Sequence, residues 1–139
     1  MTTAIISMRA NPPHMGHILS LFRMKDEYDK IIIAITPSTH GGKKTQVMPV
    51  NEIMDIFTEI FERNFPEKYQ VTYSKDDFST RTKFDDLPKF DVIVTGNKRS
   101  FKHMKSIGQN VVWRPRVPGY CGTYIREAYL KELKHGDRD

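Results

Sequence analysis

The chain has 139 residues and a net charge of +5, 22 Lys and Arg against 17 Asp and Glu. That length suits a single domain spanning 1–139, able to bury a core without disulfide or metal staples. A lone cysteine excludes an internal disulfide and a multi-Cys zinc cage, and the longest apolar run, Ile31–Ile35, is far too short to span a bilayer. The N-terminus has no signal-peptide pattern, so the simplest address is cytoplasmic, with no membrane partner. The basic balance fits a phosphate-bearing partner, nucleotide or nucleic acid.

In chain order, Ala4–Ser7 reads as a short buried strand. Pro12-Pro13 and Gly16 break the chain, and from His17 the apolar residues Ile18, Leu21 and Phe22 fall at helix spacing. Lys30–Thr36 is an Ile-rich run that suits a strand covered on both faces. His40 to Lys44 reads as a polar loop. Asn51 can cap a helix whose stripe is Ile53, Ile56, Phe57, Ile60 and Phe61, ended by Pro66. Tyr69–Tyr73 is a third strand. The polar stretch from Lys75 to Lys89 follows, part of it expected to be helical. Asp91–Thr95 is a fourth strand, Ser100 to Ile107 a helix stopped by Gly108, and Val111–Trp113 a fifth strand. Thr123 to Lys134 closes the chain as a helix.

Alternation of this kind predicts an α/β, Rossmann-like, three-layer domain with a mostly parallel five-stranded sheet. Ligands of such sheets bind beyond the carboxyl ends of the strands, at the point where the strand order reverses. The unusual residues fall in those loops. Arg9 to His17 stands at a strand-to-helix turn, where backbone N–H groups and the helix dipole favour an anion. His14 and His17 can point the same way there, and Gly16 allows close approach of a ligand. Two imidazoles at a helix start suit a polyphosphate whose charge grows in a transition state. A chance pair on a surface turn, or a zinc pair completed elsewhere, is also compatible with these residues. Gly122-Thr123 opens the last helix, and Arg126 one turn in can fork onto a phosphate or simply face solvent.

Together, His14-Met15-Gly16-His17 and Gly122-Thr123-Tyr124-Ile125-Arg126 resemble the two signatures of the HxGH nucleotidyltransferase superfamily. Arg9 to His17, the strand at 29–36, Asp91 to Asn97 and Arg114-Pro115 are similar to the archaeal-type nicotinamide mononucleotide adenylyltransferases. The resemblance covers residues 4 to about 130. It implies adenylyl transfer from ATP to nicotinamide mononucleotide, giving NAD and pyrophosphate, with Mg²⁺ arriving on ATP and no separate metal ligands. It assigns His14, His17 and Arg126 to the transition state. Nucleotide contacts fall to Arg9, Asn11, Gly16, Asn97, Gly122, Thr123 and Ile125. The expected partners are therefore ATP and nicotinamide mononucleotide, with room for a homo-oligomer.

Four positions depart from the family pattern: Asn11 for Gln, Ile53 for the Arg of a Glu-Arg pair, Cys121 for Ser, and no tryptophan between strands three and four. Lys43 or Lys44 could replace the missing arginine, and Phe78, Phe84 or Trp113 the missing ring. The alternatives are transfer to another phosphate acceptor (phosphopantetheine, FMN or an alcohol phosphate), or a non-catalytic nucleotide- or nucleic-acid-binding module. Lys98, Arg99, Lys102 and Lys105 support the last, but no aromatic RNA-binding strand pattern accompanies them.

Overall fold

The computed structural model describes residues 1–10, 12–37 and 48–115. Five strands, β1 (Thr3–Met8), β2 (Lys30–Ile35), β3 (Tyr69–Tyr73), β4 (Val92–Thr95) and β5 (Val111–Trp113), form one sheet in the order β3-β2-β1-β4-β5. Every pairing among them is parallel.

The Ile-rich second strand is central to the packing because both of its faces are covered. Ile31, Ile33 and Ile35 join Ala4 and Ile6 of β1 on one side. There they meet Leu21 and Met24 of α1 (Met15–Met24), Ile53 and Phe57 of α2 (Val50–Phe57), and Phe61. Ile32 and Ala34 point the other way, with Ile5 and Ile93, against Phe78, Leu87 and Met104 of α3 (Lys98–Ser106). A strand with period-2 side chains and two apolar neighbours cannot alternate with polar residues, so its sequence is a continuous run. The result is a three-layer α/β sandwich, as the alternation of elements predicts.

Several boundaries differ from the sequence expectation. The first helix begins at Met15, with His14 as its N-cap, because imidazole nitrogens take over the capping that Ser or Asp usually performs. The second begins at Val50 after Pro49, whose extended backbone (φ −62°, ψ 146°) ends the preceding loop. Asn51 therefore lies inside the first turn and caps nothing. This helix widens at Thr58–Glu62 into a π-helical turn, closed by the Arg63 N–H donating to the Thr58 carbonyl at 2.9 Å. The apolar stripe still works, since Phe57 and Phe61 stay buried on one face. Tyr69, fully buried, donates its hydroxyl to the Leu21 carbonyl at 2.8 Å and ties β3 to α1. Burial pushes its phenol up to about 12.

The stretch from Lys75 to Lys89 contains no helix. It is a cross-over held by two turns and by Arg81: Thr80 and Arg81 N–H groups donate to the Asp77 carbonyl at 3.1 Å, and the Leu87 N–H donates to the Phe84 carbonyl at 3.1 Å. Arg81 is buried, with its guanidinium forked onto Asp86, a further bond to the Lys83 carbonyl at 2.8 Å, and the Phe78 and Phe84 rings about it. His103 of α3 contacts the Arg81 carbonyl through Nε2 at 2.7 Å. A polar sequence thus covers the sheet without regular structure, because one buried cation has its charge and most of its donors satisfied. The helix expected over 123–134 lies outside the described residues.

Candidate active site

The order β3-β2-β1-β4-β5 reverses between β1 and β4. From β1 the chain runs through α1 on one face to β2; from β4 it runs through α3 on the other face to β5. A crevice therefore opens at the carboxyl ends of β1 and β4. The register pairs Ile6 with Val94, so Arg9 and Asn97 each leave their strand three residues further on, at the same level.

On the β1 side, the two histidines build a reciprocal cap. His14 Nδ1 accepts from the Gly16 N–H at 3.0 Å, and His17 Nδ1 accepts from the His14 N–H at 3.1 Å. This is a capping box made of imidazoles rather than hydroxyl and carboxylate. Its chemical consequence is the tautomer. A nitrogen that accepts a hydrogen bond carries no proton, so each neutral ring carries its proton on Nε2. The rings lie 3.8 Å apart between centroids, tilted by 32°. Two Nε2–H donors are thus paired at the N-terminus of α1, a helix with no acidic residue in its first turn. Gly16, buried at the second helical position, gives the cap its N–H donor.

The loop entering this cap is strained. Ala10 has φ +47°, the left-handed region that costs an alanine about 1–2 kcal/mol. It is only 3% exposed. The strained turn lies immediately after Arg9, whose side chain is half-buried and pairs with no carboxylate among the described residues.

Across the crevice, Asn97 caps α3, its Oδ1 accepting from the Ser100 N–H at 3.0 Å. Its own N–H donates to Thr95 Oγ1 at 3.1 Å. The residue therefore shapes the loop by which β4 leaves the sheet. Of the aromatics weighed for the acceptor base, Phe78 is fully buried under the sheet. Phe84 packs edge-on against Phe78 and Phe90 in the same layer. Trp113, at the end of β5, is exposed. Asn11, Lys43, Lys44, Cys121, Gly122, Thr123, Ile125 and Arg126 lie outside the described residues. Among the described residues no group of three or more His, Cys, Asp or Glu could hold a metal ion. No helix among them is long and apolar enough to cross a membrane.

Sequence reading missed two features here. The strain at Ala10 has no residue signature, since alanine rarely adopts positive φ. The Arg81–Asp86 fork is invisible because neither residue stands out in a polar stretch.

A curated relative from Methanococcus vannielii, nicotinamide-nucleotide adenylyltransferase, is 28% identical over 137 residues, covering 94% of this chain and 79% of its own length. Over nearly its whole length the chain is therefore similar to a nicotinamide-nucleotide adenylyltransferase. No family model matches it. Solved structures share the fold. A bifunctional NMN adenylyltransferase/ADP ribose pyrophosphatase from Francisella tularensis superposes with a TM-score of 0.72 at 14% identity. The match covers 94% of this chain but only 43% of that larger protein. A lipopolysaccharide core biosynthesis protein from Thermoplasma volcanium superposes at 0.59 with 16% identity, over 84% of this chain and 98% of the other.

Proposed function

We propose that the protein transfers the adenylyl group of ATP to nicotinamide mononucleotide, giving NAD and pyrophosphate. The observation that carries this reading is the imidazole capping box at the sheet's reversal point, supported by the archaeal relative's activity. A phosphate oxygen of the mononucleotide attacks the α-phosphorus of ATP. The new P–O bond forms as the bond to the bridging oxygen breaks, and pyrophosphate leaves with that electron pair. No protein nucleophile is required.

Catalysis then consists of positioning and charge stabilisation. The Nε2–H groups of His14 and His17 donate to phosphate oxygens as negative charge shifts toward the leaving group. Because their Nδ1 atoms are held by backbone N–H groups, the donors keep their direction throughout the reaction. The α1 N-terminus adds its partial positive charge. Arg9 binds the triphosphate from the strained loop, and Arg126 with Gly122, Thr123 and Ile125 completes the nucleotide contacts from the second signature. Asn11, Gly16 and Asn97 shape the walls. Mg²⁺ would arrive with ATP, bound mainly through the triphosphate, and no step is assigned to it.

The test is pyrophosphate release with MgATP and nicotinamide mononucleotide, read together with NAD formation. Both products in equal amounts support the reading. Release only with another mononucleotide moves the acceptor, and no release with any acceptor refutes transferase activity.

A further inference from the structure

We infer that the solvent face of α3 is a second binding surface, one for the phosphate backbone of single-stranded nucleic acid. Nearly all of the chain's net charge sits on this helix. α3 carries Lys98, Arg99, Lys102 and Lys105 and no Asp or Glu. Removing those four from the chain's 22 leaves 18 Lys and Arg against 17 Asp and Glu, so the rest of the chain is almost neutral. Ser100 and Met104 turn into the protein. At about 100° per residue the four cations then share the opposite arc. All four are exposed, and none pairs with a carboxylate among the described residues. The histidines belong to α1, on the other face of the sheet, so this surface is separate from theirs.

Stability alone does not favour such a helix. Lys98 and Arg99 occupy the first turn, just after the Asn97 cap, where the helix dipole favours anions. Lys98 and Lys102 stand four residues apart and Lys102 and Lys105 three, so like charges face one another along the helix. An anion laid along the face relieves both costs, because the dipole and the row of cations then attract the same ligand. The three lysines span about 10 Å of helix axis. That row is too long for one phosphate group and suits a repeating one. One flank of the face is apolar. Phe101 meets Trp113 edge-on, centroids 5.7 Å apart, and Lys105 lies 5.3 Å from the centre of the Phe101 ring. Val112 and Trp113 are each 41% exposed. Cations beside open apolar surface match a strand whose phosphates and bases are both accessible, as they are not in a duplex.

The inference does not depend on nucleotidyl transfer. It is tested by fluorescence anisotropy of a labelled oligothymidylate titrated with the full-length protein. Four phosphate contacts on a single strand give a log–log salt slope of about −3, or roughly a 50-fold loss of affinity for a fourfold rise in salt. Lys102→Gln, Lys105→Gln should weaken binding about 10-fold at low salt and halve the slope. Lys75→Gln, Lys89→Gln removes the same charge from exposed positions of the β3–β4 cross-over and should change affinity less than about twofold. Both double variants should melt with the parent and keep its pyrophosphate release. Absence of saturable binding at low salt overturns the inference. Equal losses in the two double variants also overturn it, since they would trace binding to net charge. So does displacement by polyglutamate at equal charge concentration, the mark of a surface for acidic protein, or tighter binding of duplex than of single strand. Saturable displacement by MgATP at constant ionic strength would put the oligonucleotide in the crevice and overturn it too.

Discussion

The transfer reading gives His14 and His17 two jobs that substitution can separate. As acceptors at Nδ1 they cap α1; in the proposed reaction they act as donors at Nε2. Asparagine at the N-cap and glutamine three residues on form an ordinary capping box. The double variant His14→Asn, His17→Gln should therefore keep its thermal midpoint near that of the parent and lose turnover by two or more orders of magnitude. His14→Ala, which also removes the cap, should be less stable by about 1 kcal/mol. Parallel urea melts and pyrophosphate assays compare them, and retained turnover in the double variant would contradict the donor role. The neighbouring Ala10 makes a second residue-scale case. Its φ of +47° favours glycine. Ala10→Gly should match or exceed the parent by up to about 1 kcal/mol in urea, whereas the β-branched Ala10→Val should lose more than about 1 kcal/mol. Equal stability of the two variants would show that this turn carries no strain.

Among the elements, the cross-over from β3 to β4 depends most on a single pair. Arg81, buried between Phe78 and Phe84, forks onto Asp86. That hydrogen bonding lowers the Asp86 carboxyl to about 2. An unfolded aspartate titrates near 3.9. The native state therefore binds fewer protons in this interval, and the pair's stabilisation is present above about pH 4 and lost as pH falls toward 2. Asp86→Asn keeps an acceptor but not the charge. It should unfold at lower urea than the parent at neutral pH, and the gap should close as pH falls through that window. Urea midpoints measured from pH 7 to 2 check this, and curves that stay parallel would show that the charge is immaterial. This element was also the least legible in the sequence. Its order comes from one buried guanidinium and three rings spread over thirteen residues, Phe78 to Phe90, with no periodicity to announce them. The strands were legible for the opposite reason. Ile31–Ile35 and Val92–Val94 are apolar on both faces because both faces are covered. Helix starts were less so: an imidazole cap at His14 and a side-chain-free cap at Pro49 carry no standard signal.

At the scale of the molecule, the crevice joins two halves of one sheet, β1 with α1 on one face and β4 with α3 on the other. The topology that creates it followed from the alternation of elements, and its chemistry from two histidines three residues apart. The strain at Ala10 did not, because backbone geometry at one residue depends on the strands that fix its neighbours. A ligand touching both halves binds only the assembled sheet, so its affinity adds directly to global stability. At one hundred times its Kd this amounts to about 2.7 kcal/mol, roughly 5–10 °C in the midpoint for a chain of this size. MgATP should produce such a shift in the native protein. In the His14→Asn, His17→Gln variant, at the same nucleotide concentration, the shift should shrink while the unliganded midpoint stays put. Differential scanning fluorimetry across a nucleotide series measures both quantities. An undiminished shift in the double variant would mean that the nucleotide is held without the imidazoles, leaving them to act only on the transition state. A loss of shift together with a lowered unliganded midpoint would instead trace the effect to the helix cap.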